Sequence, residues 1–283
     1  MQNTSLKFSG HESFHCRHFW LKKGFDHVKS GKSFSDKSGI DLGVGRNMVA
    51  SIRFWLKAFD IVDDKGELTE LAENIFGEKG WDPFLEDEAT LWLLHYTLSS
   101  KNYASVYHLI FSELRKVRPE FSSKHFLSLV NEIDSKQSVN IVGKDFGVFT
   151  KTYFAKPSKD KEESFSGLLT ELNLLHEVGE DSLNNKLYHI SNESQESIPW
   201  QVILYCILDN ETYGASISLN SLFNGEKAIG NLFAFNREGL ELKLTEMSEM
   251  LPSIVYKNDA GVKELQLNKK LNRIKILSDY YGK

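Results

Sequence analysis

The sequence predicts an α+β fold that is mostly α. It begins with a winged helix-turn-helix (residues 1–83), continues as a helical bridge with a hairpin and a charged loop (84–197), and ends in a smaller mixed module (198–283). Three observations carry that prediction. Apolar residues recur at spacings of three and four over most of the chain, which is the period of helices with one buried face. A glycine turn near residue 43 separates two such segments, and a turn-forming tetrapeptide follows them. The 283 residues are 41% hydrophobic with only 5 prolines, enough for about two domains with real cores and no long disordered tract.

The N-terminal elements follow in order. A helical approach runs from Arg17 to Val28. Ser35 or Asp36 then suits the cap of a short helix ending near Ile40. Leu42-Gly43-Val44-Gly45 supplies a tight turn, and a long helix starts at Arg46. Met48, Val49, Ile52, Trp55, Leu56 and Phe59 form its buried stripe. Ile61-Val62, the turn Asp63-Asp64-Lys65-Gly66 and Leu68-Thr69 read as a small β-hairpin, the wing. Thr69 opens a further helix through Phe76. In such a motif the turn sets two helices at a steep angle, so that the start of the second reaches base edges.

LEDEATLWLLHYTLSS reads as an amphipathic helix with acidic residues in its first turn. Pro119, Ser122 and Ser123 mark a break and a cap between two more helices. VNIVGKDFGVFTKTYFAK reads as a hairpin followed by a helix, and KPSKDKEESFSG as an exposed loop. LLTELNLLHEV suggests a helix and KLYHIS a strand. In the last region PWQVILYCILDNE is a helix with proline in its first turn. Two short helical pieces, a hairpin turning at Asn258-Asp259-Ala260-Gly261 and a final strand or helix complete it. That order suits a second winged-helix-like module.

Composition excludes several classes. The net charge is −5, so a uniformly basic nucleic-acid binder is excluded, while a local basic face is not. Cys16 and Cys206 are too few and too far apart for a disulfide framework or a paired-cysteine metal site. No stretch approaches about 18 uninterrupted apolar residues, so no membrane span is expected and the cytoplasm is the expected location.

Charge is uneven along the chain. Residues 1–62 hold ten Lys and Arg against five Asp and Glu, a basic surplus of five inside an acidic protein. That surplus suits contact with the phosphates of double-stranded DNA. Arg46 and Asn47 open the recognition helix, where Arg suits guanine and Asn suits adenine. Ala50, Ser51, Arg53, Phe54 and Lys57 are expected to turn away from the buried stripe, and Lys22, Lys23, Lys32 and Lys37 to steer phosphates. Asp63 and Asp64 outweigh Lys65 in the wing, so the helix should dominate any DNA contact. The competing reading is a winged helix that contacts only protein.

His11, His15, Cys16 and His18 fall within eight positions, but no second cluster completes four ligands. Neither a metal nor another cofactor is therefore expected, and His11 with Glu12 reads as a cap or hydrogen bond at a helix start. There is no P-loop, dinucleotide fingerprint or nucleophile elbow, and catalysis is not expected. Trp20, Phe25, Phe54, Trp55, Trp81, Trp92 and Tyr96 read as core packing rather than as a base-stacking platform.

FSGHESFHCRHFWLKKGFD, LGVGRNMVASIRFWLKAFDIV, LTELAENIFG, WDPFLEDEATLWLLHY and SISLNSLFNGEKAIGNLFAFNREGLEL together resemble DUF4007, a bacterial family of unknown function, over nearly the whole chain. The resemblance implies work beside DNA-modification or phage-defence proteins. Members tend to be encoded near genes for sulfur-dependent DNA backbone modification, including a sulfate-reductase-like ATP-pyrophosphatase enzyme, and near other anti-phage systems. Only His11 and Glu12 of the histidine cluster belong to the family's pattern, and it implies no catalytic residue. The expected function is thus a DNA-binding, non-catalytic component of such a system. The alternatives are a protein-interaction adaptor and a local transcriptional regulator.

Overall fold

A computed structural model describes residues 5–35, 37–154, 167–259 and 261–282. The chain forms two compact units, 1–190 and 191–283. Both are α+β, and each holds one three-stranded antiparallel sheet.

The first unit begins with α1 (Trp20–Lys29), α2 (Ser38–Leu42) and α3 (Arg46–Ala58). Gly43 ends α2 in the left-handed conformation (φ 65°), which a side chain would disfavour. Asp36, one of the two expected caps, lies outside the described residues. Val49, Ile52, Trp55, Leu56 and Phe59 are buried as their spacing predicts, while Met48 is only partly covered. The hairpin expected after α3 is reduced. Its turn forms, and the Asp63 carboxylate accepts from Lys65 N and Glu67 N at 2.9 Å each. These bonds hold that carboxyl below its usual range. The strands, however, shrink to one bridge between Val62 and Leu68. Thr69 N is already bonded to Ile61 O, and the chain enters α4 (Glu70–Phe76) at once.

Helix α5 (Glu88–Ser100) corrects the amphipathic reading, because Ala89 to Ser100 are all buried. Its polar residues find partners inside the protein rather than in water. Thr97 Oγ1 bonds Phe59 O, Ser99 Oγ bonds His95 O, and His95 Nδ1 lies 2.7 Å from the Tyr153 hydroxyl. Helix α6 (Ser105–Leu109) passes through a π-helical turn (Ile110–Leu114) into α7 (Arg115–Val117). A short strand, β1 (Glu120–Phe121), leads to α8 (Ser123–Ile133), at whose start His125 Nδ1 accepts from Ser122 N at 3.2 Å.

The expected hairpin near residue 140 is instead part of one helix, α9 (Val139–Tyr153). Val142, Phe146, Phe149 and Tyr153 fall on one buried stripe, and that burial outweighs the turn tendency of Gly143 and Gly147. The charged loop spans residues 156–167, of which 156–166 lie outside the described residues. The expected helix after it is a single 3-10 turn (Thr170–Leu172). Leu168, Leu169, Leu172, Leu174 and Leu175 are all buried while Glu171 and Asn173 are exposed, and Asn173 ends the turn in the left-handed conformation (φ 48°). Strands β2 (His176–Glu180) and β3 (Lys186–His189) close the sheet in the order β1-β3-β2.

Segments far apart in sequence tie this unit together. Trp55 Nε1 donates to Phe14 O at 3.1 Å, and its ring lies 6.2 Å from that of Tyr107 on α6. Lys7 and Ser105 exchange two hydrogen bonds, and Leu168 N donates to Cys16 O. The N-terminal region therefore packs with the helical region that follows it.

The second unit runs α10 (Trp200–Asp209), β4 (Ser216–Ser218), α11 (Leu219–Asn224), α12 (Ile229–Leu232), α13 (Arg237–Met250), β5 (Ile254–Asp259), β6 (Val262–Leu267) and α14 (Arg273–Tyr280). The sheet order is β4-β6-β5, with Leu265 facing both Ile217 and Tyr256 in the register. The hairpin sits where Asn258 to Gly261 predict it, and the chain's last element is a helix. Gly239 lets the backbone at Ser194 approach α13 more closely than a Cβ would allow.

Candidate nucleic-acid interface

Helix α3 presents one narrow solvent stripe. Arg46, Ala50 and Arg53 are exposed, Lys57 is half-buried a turn further on, and Asn47 is exposed beside them. The stripe exists because the other faces are committed to the core, where Ile52, Trp55 and Leu56 are fully buried. Two expected members leave it. Ser51 and Phe54 are buried, because positions 51, 52, 55 and 58 form the inward face and Phe54 is covered by Tyr103, His11 and Trp55. Lys57 Nζ donates to Asp64 O at 3.2 Å and so ties the wing turn to the helix.

The four steering lysines are not equivalent. Lys22 pairs with Asp26 at 2.5 Å and Lys32 with Asp41 at 3.1 Å. Lys23 Nζ donates to Leu42 O, at the end of the helix that precedes the turn. Lys37 is exposed. Surface pairs of this kind are worth about 0–1 kcal/mol and yield readily to a phosphate.

The expected cap at His11 is a different arrangement. His11 Nε2 lies 3.1 Å from Asp145 Oδ1 on α9, and both side chains are buried. Its Nδ1 accepts from Ser13 N at 3.1 Å, which puts the ring proton on Nε2. Asp145 also accepts from Ser9 N through both oxygens, at 3.1 and 2.9 Å. Ser9, Gly10, Glu12 and Ser13 all have positive φ, a run of backbone that needs these bonds to hold it. Nδ1 is thus hydrogen-bonded inside the protein and Nε2 faces the buried carboxylate. The pair pins a segment rather than presenting an acid or base to a substrate. Nothing in the local sequence marks Asp145, which stands 136 positions from Ser9.

The remaining members of the histidine cluster are engaged separately. His18 Nε2 meets Phe84 O at 2.7 Å, and Cys16 Sγ contacts Arg17 O, its thiol pushed up by burial. Among the described residues no three His, Cys, Asp or Glu side chains form a group that could hold a metal ion. No helix among them is long and apolar enough to cross a membrane.

Fold and surface together define a two-unit α+β protein whose third helix carries a basic stripe on an otherwise buried element. The chain belongs to the family described as protein of unknown function DUF4007, whose model matches residues 8–281. Two solved structures are similar to it over 98% of this chain and 88% of theirs. One is described as a magnesium ion-bound SspB crystal structure (25% identity, TM-score 0.86), the other as an SspB crystal structure (26% identity, TM-score 0.85). No curated protein sequence matches the chain. Magnesium favours an octahedron of oxygens. The carboxylate most deeply placed beside a conformationally unusual loop, Asp145, already spends its oxygens on Ser9 and His11. With that carboxylate committed, and with no group of three His, Cys, Asp or Glu side chains among the described residues placed to hold a metal ion, these residues do not fit a magnesium cage.

Proposed function

We propose that the protein is a DNA-binding, non-catalytic component of a bacterial DNA-modification or phage-defence system, acting in the cytoplasm. The observation that carries this reading is the exposed line Arg46-Ala50-Arg53-Lys57, with Asn47 beside it, on a helix that follows a glycine turn. In this reading residues 1–83 work as a winged helix whose wing is reduced. Helix α3 docks in a major groove and Lys22, Lys23, Lys32 and Lys37 exchange their present partners for phosphates. The likeness to SspB structures and the family's association with DNA-modification genes support the setting.

The adaptor reading has one observation in its favour, and it lies in the second unit. There the order helix, strand, two short helices, long helix and hairpin is winged-helix-like, but α13 turns Glu238, Leu242, Thr245, Glu249 and Met250 outward. Leu242 is 56% exposed and Met250 59%, a mixture that suits protein better than phosphate. In this reading the second unit faces partner proteins.

Fluorescence anisotropy with mixed duplex DNA at two salt concentrations tests the main reading. Binding should weaken steeply with salt, and Arg46→Ala with Arg53→Ala should lower the slope of log K against log salt by about 2. An absence of binding at low salt, or an unchanged slope in the double variant, would overturn it in favour of the adaptor.

A further inference from the structure

Tyr103 follows the central helix α5 at a sharp turn, where Asn102 takes a left-handed conformation (φ 53°). Its ring is half-buried rather than part of the core. The Lys7 ammonium lies over it, 5.5 Å from the centroid. Phe54 backs it at 5.4 Å and 51°, and Gly10 closes against the Phe54 ring so tightly that a Cβ there would lie 2.7 Å from Cδ2. Lys7 is held in register with the ring, since Lys7 N donates to Ser105 Oγ at 2.8 Å and Ser105 N to Lys7 O at 3.0 Å.

Charge reaches the same ring from the DNA-facing helix. Arg53, one helical turn before Lys57, acts on the Tyr103 hydroxyl and favours its ionisation. Burial is the larger influence and Asp64 opposes Arg53, so the hydroxyl stays protonated and neutral. A half-buried aromatic ring under one cation, in contact with the ring of Phe54 on a helix that carries further exposed cations, matches one ligand chemistry well. A flat base stacks on the ring while its phosphates take the cations. Lys7 costs little to move, because an exposed cation over a ring contributes only about 0.5–1 kcal/mol.

We propose that Tyr103, with Lys7 and Arg53, forms a stacking site for an unpaired nucleobase at the edge of the α3 face. The protein then prefers DNA with a single-stranded gap to intact duplex. This rests on the reading of α3 as the DNA-contacting helix.

The test compares a fluorescein-labelled 20-base-pair duplex with the same duplex carrying a three-nucleotide gap. The full-length protein should bind the gapped DNA about tenfold more tightly. Tyr103→Ala should remove that preference while keeping the affinity for intact duplex, and Tyr103→Phe, which keeps the stacking face, should retain it. Arg46→Ala should weaken binding to both probes and leave their ratio unchanged. Duplex binding without a preference for the gap, or a preference that survives Tyr103→Ala, overturns the stacking site alone. Binding to neither probe overturns it together with the α3 reading.

Discussion

Helices α3 and α13 occupy comparable places in the two units. Each is a long helix that follows a short one, and each precedes a turn or hairpin. Their exposed faces diverge. α3 shows Arg46, Asn47, Arg53 and Lys57, whereas α13 shows Glu238, Thr245 and Glu249 around Leu242. The α13 cations are drawn toward its own carboxylates. Arg237 pairs with Glu241, and Lys263 of the hairpin donates to the same carboxylate at 2.9 and 2.7 Å. The hairpin of the second unit is thus locked onto its helix by charge. The Asp63–Gly66 turn of the first is held by backbone bonds to Asp63 and by one lysine on a carbonyl. Similar element order leaves function undetermined, and the residues on one stripe decide it.

Exchanging those stripes is the strongest way to break the comparison. Arg46→Glu with Arg53→Glu should lower duplex affinity by about a hundredfold, since two base or phosphate contacts of about 1–3 kcal/mol each are lost. Glu238→Lys with Glu249→Lys should change it by less than about twofold. If the α13 exchange is the damaging one in an anisotropy titration, the roles assigned to the two units are reversed.

Stability offers a second test. Asp145→Ala leaves Ser9 N–H without its acceptor and His11 without the carboxylate it faces, and should cost the first unit about 2–4 kcal/mol. Gly239→Ala drives a methyl group into the Ser194 backbone and should cost the second unit about 1–3 kcal/mol. Hydrogen exchange followed by peptide should show each loss confined to its own unit. Loosening of both units by either variant would mean that they unfold as one.

The smallest effects come from the helix caps. Asn236 accepts from Gly239 N at 2.7 Å, and Asn236→Ala should cost about 1 kcal/mol. Thr69 accepts from Ala72 N and also donates to Asp60 O at 2.6 Å. Thr69→Ala should therefore cost more, about 1.5–2 kcal/mol, in urea denaturation. Equal costs would show that the second bond contributes nothing.

What could be read in the sequence follows from which forces act locally. Helix α3 was legible because its apolar spacing and Gly43 point to the same element. The Ile254–Leu267 hairpin was legible because a turn-forming tetrapeptide sits between two runs of strand-forming residues. Helix α9 was misread because two glycines suggest a turn, while the burial of Phe146 and Phe149 is decided by neighbours that the local sequence does not show. Helix α5 was legible as a helix buried around Trp92, but the burial of its polar residues was not, because Thr97, Ser99 and His95 look solvated until Phe59 O and Tyr153 are in place. The basic stripe was legible as charge, but the inward turn of Ser51 and Phe54 was not. The ring at Tyr103 and the carboxylate of Asp145 gave no signal at all. Each gains its role only when Lys7 or His11 arrives from the far end of the unit.

That last feature shapes how the protein is made. Residues 7–16 leave the ribosome well before their partners Ser105, Asp145 and Leu168. At ordinary rates of synthesis the Asp145 codon is translated roughly 7–30 s after that of Ser9. For that interval the GHES turn has nothing to hold its unusual backbone. The first unit consequently closes late, with its earliest residues among the last to settle. A tag or chaperone that occupies residues 7–16 during translation would act on the step that completes the first unit.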